Sequence, residues 1–291
     1  MMRPYNRDTI SRLCKCLLLV IVVFYSINFL RLSPLGVSRS GQTLLGAEDA
    51  AKWFRYGNNK SVQGKYEEAI KYYDKAIDAD PKFTHAWNNK GNCLSMLRKY
   101  SEATKCFDKV LEMNPNDVHA WSGRANALNL LNRHNEALES INKALAIDPK
   151  HDYIWFNKAN ILVKINRHEE ALKAFDEALE INPAFVNAML DKGSTLAELK
   201  RYDEALKCYD MAIEVAGPEV IAAFYDKATL LNLLDRHEEA LTHYDMVTQL
   251  EPSFADAWYE KAHILEKLGR YEEAQECLKE YREINSENHR G

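Results

Sequence analysis

Apolar and small residues fall at helical intervals through most of the chain. Trp87, Gly91 and Leu94 occupy i, i+4 and i+7, one face of an α-helix. After a polar interval, Ala103, Phe107 and Val110 repeat that spacing and predict a second helix. Pro115 marks the end of this second helix, since a proline ring removes an amide donor and clashes with the preceding turn. The pattern then starts again. Pro81, Pro115, Pro149 and Pro183 are each 34 residues apart, Pro218 follows after 35 and Pro252 after another 34. Trp53, Trp87, Trp121, Trp155 and Trp258 share one slot of that period, with Met189 and Phe224 in the two remaining copies. An alanine recurs (Ala69, Ala103, Ala137, Ala171, Ala205, Ala240, Ala274), followed four residues later by a large apolar side chain such as Tyr73, Phe107 or Ile141. Seven units result: 50–83, 84–117, 118–151, 152–185, 186–220, 221–254 and 255–288. Positions below are counted from the first residue of each.

Bulky Trp alternates with Gly or Ala because two helices approach closely only where one lacks a large side chain. One helical pair cannot bury both of its apolar faces, so such pairs stack. Trp at position 4, Gly or Ala at 8, Ala at 20, an aromatic at 24 and Pro at 32 resemble the tetratricopeptide repeat (TPR) family, over about four-fifths of the chain. The departures are basic residues at position 7 (Lys90, Arg124, Lys158, Lys192, Lys227, Lys261), one extra residue near Gly217, and Ser286 where the last proline would stand. The resemblance implies an all-α solenoid, a right-handed superhelix of helix-turn-helix pairs. It also implies a concave groove lined by the first helix of each pair, and a function in binding proteins.

The residues before the array differ in character. Residues 1–15 are basic, 16–32 include the strongly apolar run CLLLVIVVFYSINFL, and 33–49 read as a linker. The preferred expectation is a hydrophobic helix over 16–32 serving as a single-pass signal-anchor. A cleaved signal peptide followed by export is the alternative, and a helix covering the first repeat is the third reading. Arg3, Arg7, Arg12 and Lys15 precede the span, while only Arg31 and Arg39 follow closely. That asymmetry places the N-terminus on the cytoplasmic side.

Net charge is −5, but residues 1–46 hold six basic residues against Asp8 alone, so the array itself stands near −10. This argues against nucleic acid as a partner, which would require clustered positive charge. No catalytic or phosphate-cradling motif is present, and no cofactor is expected. His134, His168 and His237 share position 17 with Tyr66, Tyr100, Tyr202 and Tyr271, so they stand in for a packing aromatic. Stacked helical pairs lie about 10 Å apart, too far for same-slot histidines to share one zinc. The six cysteines read as free packed thiols rather than a disulfide framework. The chain is therefore expected not to be an enzyme.

Surface remains. By the family resemblance the groove is lined by positions 2, 5, 9 and 12. Position 9 carries Asn58, Asn92, Asn126 and Asn160, then Ser194, Thr229 and His263. A primary amide donates and accepts, so an asparagine ladder can hold the backbone of an extended peptide. Farther along, Tyr153, Phe156, Leu190, Tyr225 and Tyr259 make the groove more apolar, as anchor side chains of a partner require. The carboxylate clamp by which chaperone co-factors of the family hold acidic tails is incomplete. Asn58 and Asn89 match it, but Phe54, His119 and Gly123 stand in its basic slots. The basic residues at position 7 are expected to pair with Asp74, Asp108, Asp176, Asp210 and Asp245 at position 25. The expected function is a membrane-tethered scaffold holding an extended peptide of a protein partner. The alternative is an assembly factor or structural subunit acting through the solenoid ends or outer face. At the ends, Gln275 and Arg282 should give the last helix a polar outer surface, and Trp53, Phe54 and Tyr56 should need covering by residues 31–49 or a partner.

Overall fold

The computed structural model describes residues 41–288, with side chains from 47 to 286. Among them are fourteen α-helices and no strand, divided between two compact units that meet at Lys150 and His151. The first unit holds α1 (Gly41–Val62), α2 (Tyr66–Ala79), α3 (Thr84–Met96), α4 (Tyr100–Met113), α5 (Val118–Leu130) and α6 (His134–Ile147). The second holds α7 (Asp152–Lys164), α8 (His168–Ile181), α9 (Val186–Glu198), α10 (Tyr202–Ala216), α11 (Ile221–Leu233), α12 (His237–Leu250), α13 (Ala255–Lys267) and α14 (Tyr271–Asn288). A 3₁₀ turn, Gly217–Glu219, follows α10.

Each helix ends for a local reason. The residue at position 15 takes a left-handed backbone in every repeat, as in Gly64, Arg98, Asn132 and Lys200, and this turns the first helix back into the second. The second helix stops at an extended residue just before the proline. Asn114 returns its N–H to Val110 O at 2.7 Å, and its side chain accepts from Asn116 N at 3.2 Å.

The cores follow the predicted slots. In the first unit Leu94, Ala103, Phe107, Val110 and Ala120 form one buried cluster, with Trp87 packed against it. In the second, Tyr209, Phe224, Ala240, Tyr244, Ile264 and Leu265 belong to another. The Phe107 ring shows why the small residues recur. It lies between Gly91 and Gly123, and a Cβ at either would sit 2.8 Å or 2.6 Å from ring carbons. Burial of that one ring is worth about 1.5–3 kcal/mol, and a side chain at either glycine would displace it.

A hydrogen bond explains why tryptophan and proline keep the same period. The indole Nε1 of Trp87 donates to Pro81 O at 3.1 Å, Trp121 to Pro115 O at 2.8 Å and Trp258 to Pro252 O at 2.9 Å. Each bond ties a repeat to the one before. The basic stripe also pairs between repeats: Lys90 Nζ meets Asp74 at 2.5 Å, Arg124 Asp108 at 2.7 Å, Lys192 Asp176 at 2.5 Å, Lys227 Asp210 at 2.5 Å and Lys261 Asp245 at 2.6 Å. Repeat three carries Asn142 instead of aspartate at position 25. The matching Lys158 has its pKa lowered, chiefly by burial, and lies over the Trp155 ring.

Three expectations for the chain ends take a different form. The hydrophobic segment 16–32 and the first part of the linker lie outside the described residues, whereas the expected linker is helical from Gly41 onward as the start of α1. The expected single-pass membrane location is corrected: among the described residues no helix is long and apolar enough to cross a membrane. The longest, α1, carries Glu48, Asp49, Lys52, Arg55 and Lys60. Export after cleavage rests on the same outlying segment and is carried no further. At the start of the array Trp53 stacks on Tyr72 at 6.0 Å between centroids, and Tyr56 is 49% exposed. At its end Gln275 and Arg282 are both exposed, as a polar terminal surface requires.

Candidate protein-interaction face

The first helix of each pair carries the residues expected to line a groove, and their neighbours decide what each can offer. Asn58 is committed internally. Its Oδ1 accepts from Tyr73 Oη at 2.8 Å and from Asn89 Nδ2 at 2.8 Å. The same hydroxyl reach recurs where position 24 is tyrosine: Tyr209 Oη lies 3.4 Å from Ser194 Oγ, and Tyr244 Oη 3.0 Å from Thr229 Oγ1. Repeats two and three place Phe107 and Ile141 there instead, and neither has a hydroxyl. Asn92 also lacks the second neighbour, because position 6 of the next repeat is Gly123. Asn92 is accordingly exposed and Asn126 half-buried, and neither amide side chain makes a hydrogen bond among the described residues. In the second unit the Asn160 amide acts on the Asp191 carboxyl, favouring its charged form. The four asparagines thus differ: Asn58 is engaged by two hydrogen bonds, Asn160 acts on a neighbouring carboxyl, and Asn92 and Asn126 carry open amides.

The aromatic residues divide similarly. Phe156 packs on Phe185 at 4.9 Å and lies 6.0 Å from Tyr153. Tyr225 is only 7% exposed, held against Phe254 at 5.0 Å and Tyr244 at 5.7 Å, so it contributes mainly to the core. Leu190 is half-buried. Tyr259 is 39% exposed, edge-on to His263 at 4.8 Å, with its hydroxyl 3.0 Å from His263 Nε2. Sequence reasoning missed the partners at position 34. Phe83, Phe185 and Phe254 each meet the aromatic at position 5 of their own repeat, at 5.0, 4.9 and 5.0 Å. Repeat two replaces both members with polar groups, and Asn88 Nδ2 donates to Asp117 at 3.4 Å. Joint variation of positions 5 and 34 was the signal that could have found them.

Carboxylates occupy position 6 in the second unit: Asp191, Asp226 and Glu260. Burial pushes the Asp191 carboxyl up to about 6, against the Asn160 hydrogen bond and the charge of Lys164. Burial also raises Glu260. Asn157, in the same slot of the preceding repeat, is 8% exposed and its Nδ2 has no hydrogen-bond acceptor. The buried thiols Cys93 and Cys106 are pushed up to about 11 by burial, which leaves them unreactive near neutrality.

Stacked helix pairs with left-handed intra-repeat turns and Trp–Pro ties define an all-α repeat protein of the helix-turn-helix kind. Family models described as tetratricopeptide repeat match residues 50–83, 85–117, 118–151, 153–185, 185–250 and 233–290, so the chain belongs to the tetratricopeptide repeat family. Among solved structures it is similar to YrrB, described as a TPR protein with an unusual peptide-binding site. The identity is 25% and the TM-score 0.52, covering 65% of this chain and 97% of that one. It is similar in fold to PilW, a widely conserved type IV pilus biogenesis factor (23% identity, TM-score 0.60, 67% and 90% covered). A tetratricopeptide repeat protein from Parabacteroides merdae shares the fold at 18% identity and TM-score 0.62, with 81% and 93% covered. No curated protein sequence matches the chain.

Proposed function

We propose that this chain is a non-catalytic scaffold that binds a protein partner by holding an extended segment of it along the first-helix face. The observation that carries this reading is the pair of open amides, Asn92 and Asn126, which recur at one position and make no internal hydrogen bond. An unsatisfied amide at a repeating interval matches the repeating N–H and C=O of an extended backbone. The protein-interaction fold of the family supports it, as does the peptide-binding site described for YrrB. The test is to replace both asparagines in this chain and measure its affinity for a partner recovered by crosslinking to the array. Each hydrogen bond lost to the partner should cost ~0.5–1.5 kcal/mol, so Asn92→Ala with Asn126→Ala should weaken binding roughly fivefold to a hundredfold. The melting temperature should stay unchanged, because neither side chain supports the core. Full affinity in the double variant would remove the open amides from the function.

A further inference from the structure

The two units present first-helix faces of different charge. Positions 2 and 6 of the first unit hold Ala51, His85, His119, Arg55, Asn89 and Gly123, with no carboxylate among them. Among the eight residues at the same positions of the second unit, Tyr153, Asn157, Asn187 and Ala222 are uncharged, and Asp191, Asp226, Asp256 and Glu260 are carboxylates. Asp191 and Glu260 have no cation within ion-pair distance among the described residues, unlike the position-25 aspartates, which are all matched where a basic neighbour follows. The carboxylates cluster around buried phenols. Asp226 and Asp191 both act on Tyr209, and Glu260 and Asp226 both act on Tyr244, adding to the upward push that burial exerts on each hydroxyl. Partly exposed aromatic surface adjoins the stripe, from Phe156 at its start to Tyr259 at its end. The Nδ2 of Asn157, buried and without an acceptor, stands at the head of the same slot.

A carboxylate held partly out of water without a direct ion pair is costly unless something positive meets it. An aromatic surface beside them favours the same occupant, since cations are attracted to ring faces and aliphatic stems pack on them. We infer that the second unit receives an extended polypeptide segment bearing lysine or arginine side chains interspersed with apolar ones. The carboxylates of Asp191 and Glu260 meet its cations, and Tyr259 and Phe156 meet its apolar groups. This inference rests on the peptide-binding reading above and adds the charge of the partner.

The test uses the full chain and three fluorescein-labelled extended peptides of equal length, in which leucine alternates with lysine, glutamate or serine. Anisotropy should show the lysine peptide binding most tightly, with affinity falling as salt rises. Asp191→Asn with Glu260→Gln should weaken that peptide by about tenfold or more and leave the serine peptide unchanged. Glu204→Gln with Glu239→Gln removes the same charge from the second helices and should leave lysine-peptide affinity intact, which separates a site from general attraction to an acidic protein. Glu260→Lys should weaken the lysine peptide and improve the glutamate peptide. Binding that ignores peptide charge, or that falls equally with both neutralised pairs, overturns the inference while leaving peptide binding standing. Failure of all three peptides to bind overturns both.

Discussion

At the scale of single residues, Asp191 is the group whose environment departs most from what stability alone would select. Its carboxyl is pushed up to about 6 by burial, so the folded chain holds that proton more tightly than the unfolded chain, where aspartate titrates near about 3.9. The fold is therefore free of the penalty below about pH 4, and loses stability as pH rises through about 6 and the buried group ionises. Asp191→Asn should raise stability by up to about 3 kcal/mol at pH 7.5 and by little near pH 4, as melts across that range would show. A variant that is more stable yet binds a basic segment less well is the signature of a residue kept for binding. Similar logic separates the asparagines. Whether an amide at position 9 is open depends on one atom, the hydroxyl of Tyr73 that Phe107 lacks, and on whether the next repeat offers Asn89 or Gly123.

At the scale of the helix, the turn between the paired helices is the least optimised local feature. Position 15 has φ near +60° in five repeats without glycine there, including Arg98 and Lys200, both at 61°. A side chain with Cβ pays about 1–2 kcal/mol in that region, partly offset by the entropy glycine loses on folding. Arg98→Gly and Lys200→Gly should therefore each stabilise by about 0.5–1 kcal/mol in denaturant melts, while the same change at Asn132, which tolerates the region better, should gain less. Helix positions, the Trp–Gly–Ala packing and the pairing of positions 7 and 25 were legible in the sequence because a period of 34 imposes the same neighbour on every copy. The state of the groove-facing side chains was not. Asn58 and Asn89 are 31 residues apart in adjacent repeats, and Phe54 and Phe83 are 29 apart at opposite ends of one repeat, so their contacts depend on which residues the individual copies bring together. Such pairs vary from repeat to repeat, and a consensus averages them away.

At the scale of the molecule, two features set how the chain meets its surroundings. The first is the terminal surface. Slots that are leucine elsewhere, as at Leu172 and Leu206, are exposed Gln275 in the last repeat, and Arg282 follows in an equally exposed slot. Gln275→Leu with Arg282→Leu should leave the fold intact and expose an apolar end. Sedimentation should then show concentration-dependent association stronger than that of the natural chain. The second feature is the place where the period slips. Tryptophan ties to the preceding proline carbonyl at three seams, but Phe224 has no N–H to give Pro218, and there the count runs to 35. Gly217, at φ 66° and ψ −152°, absorbs the surplus in a conformation that residues with a side chain avoid, and a short 3₁₀ turn carries the chain on into α11. Lengthening the chain at Pro115 would pull the Trp121 indole off its acceptor, whereas at Gly217 no such bond exists to break. The array behaves in this respect like riveted spans interrupted by expansion joints: Met189 and Phe224 both lack the indole rivet, and beside Phe224 an extra residue has settled without loosening the bonded seams.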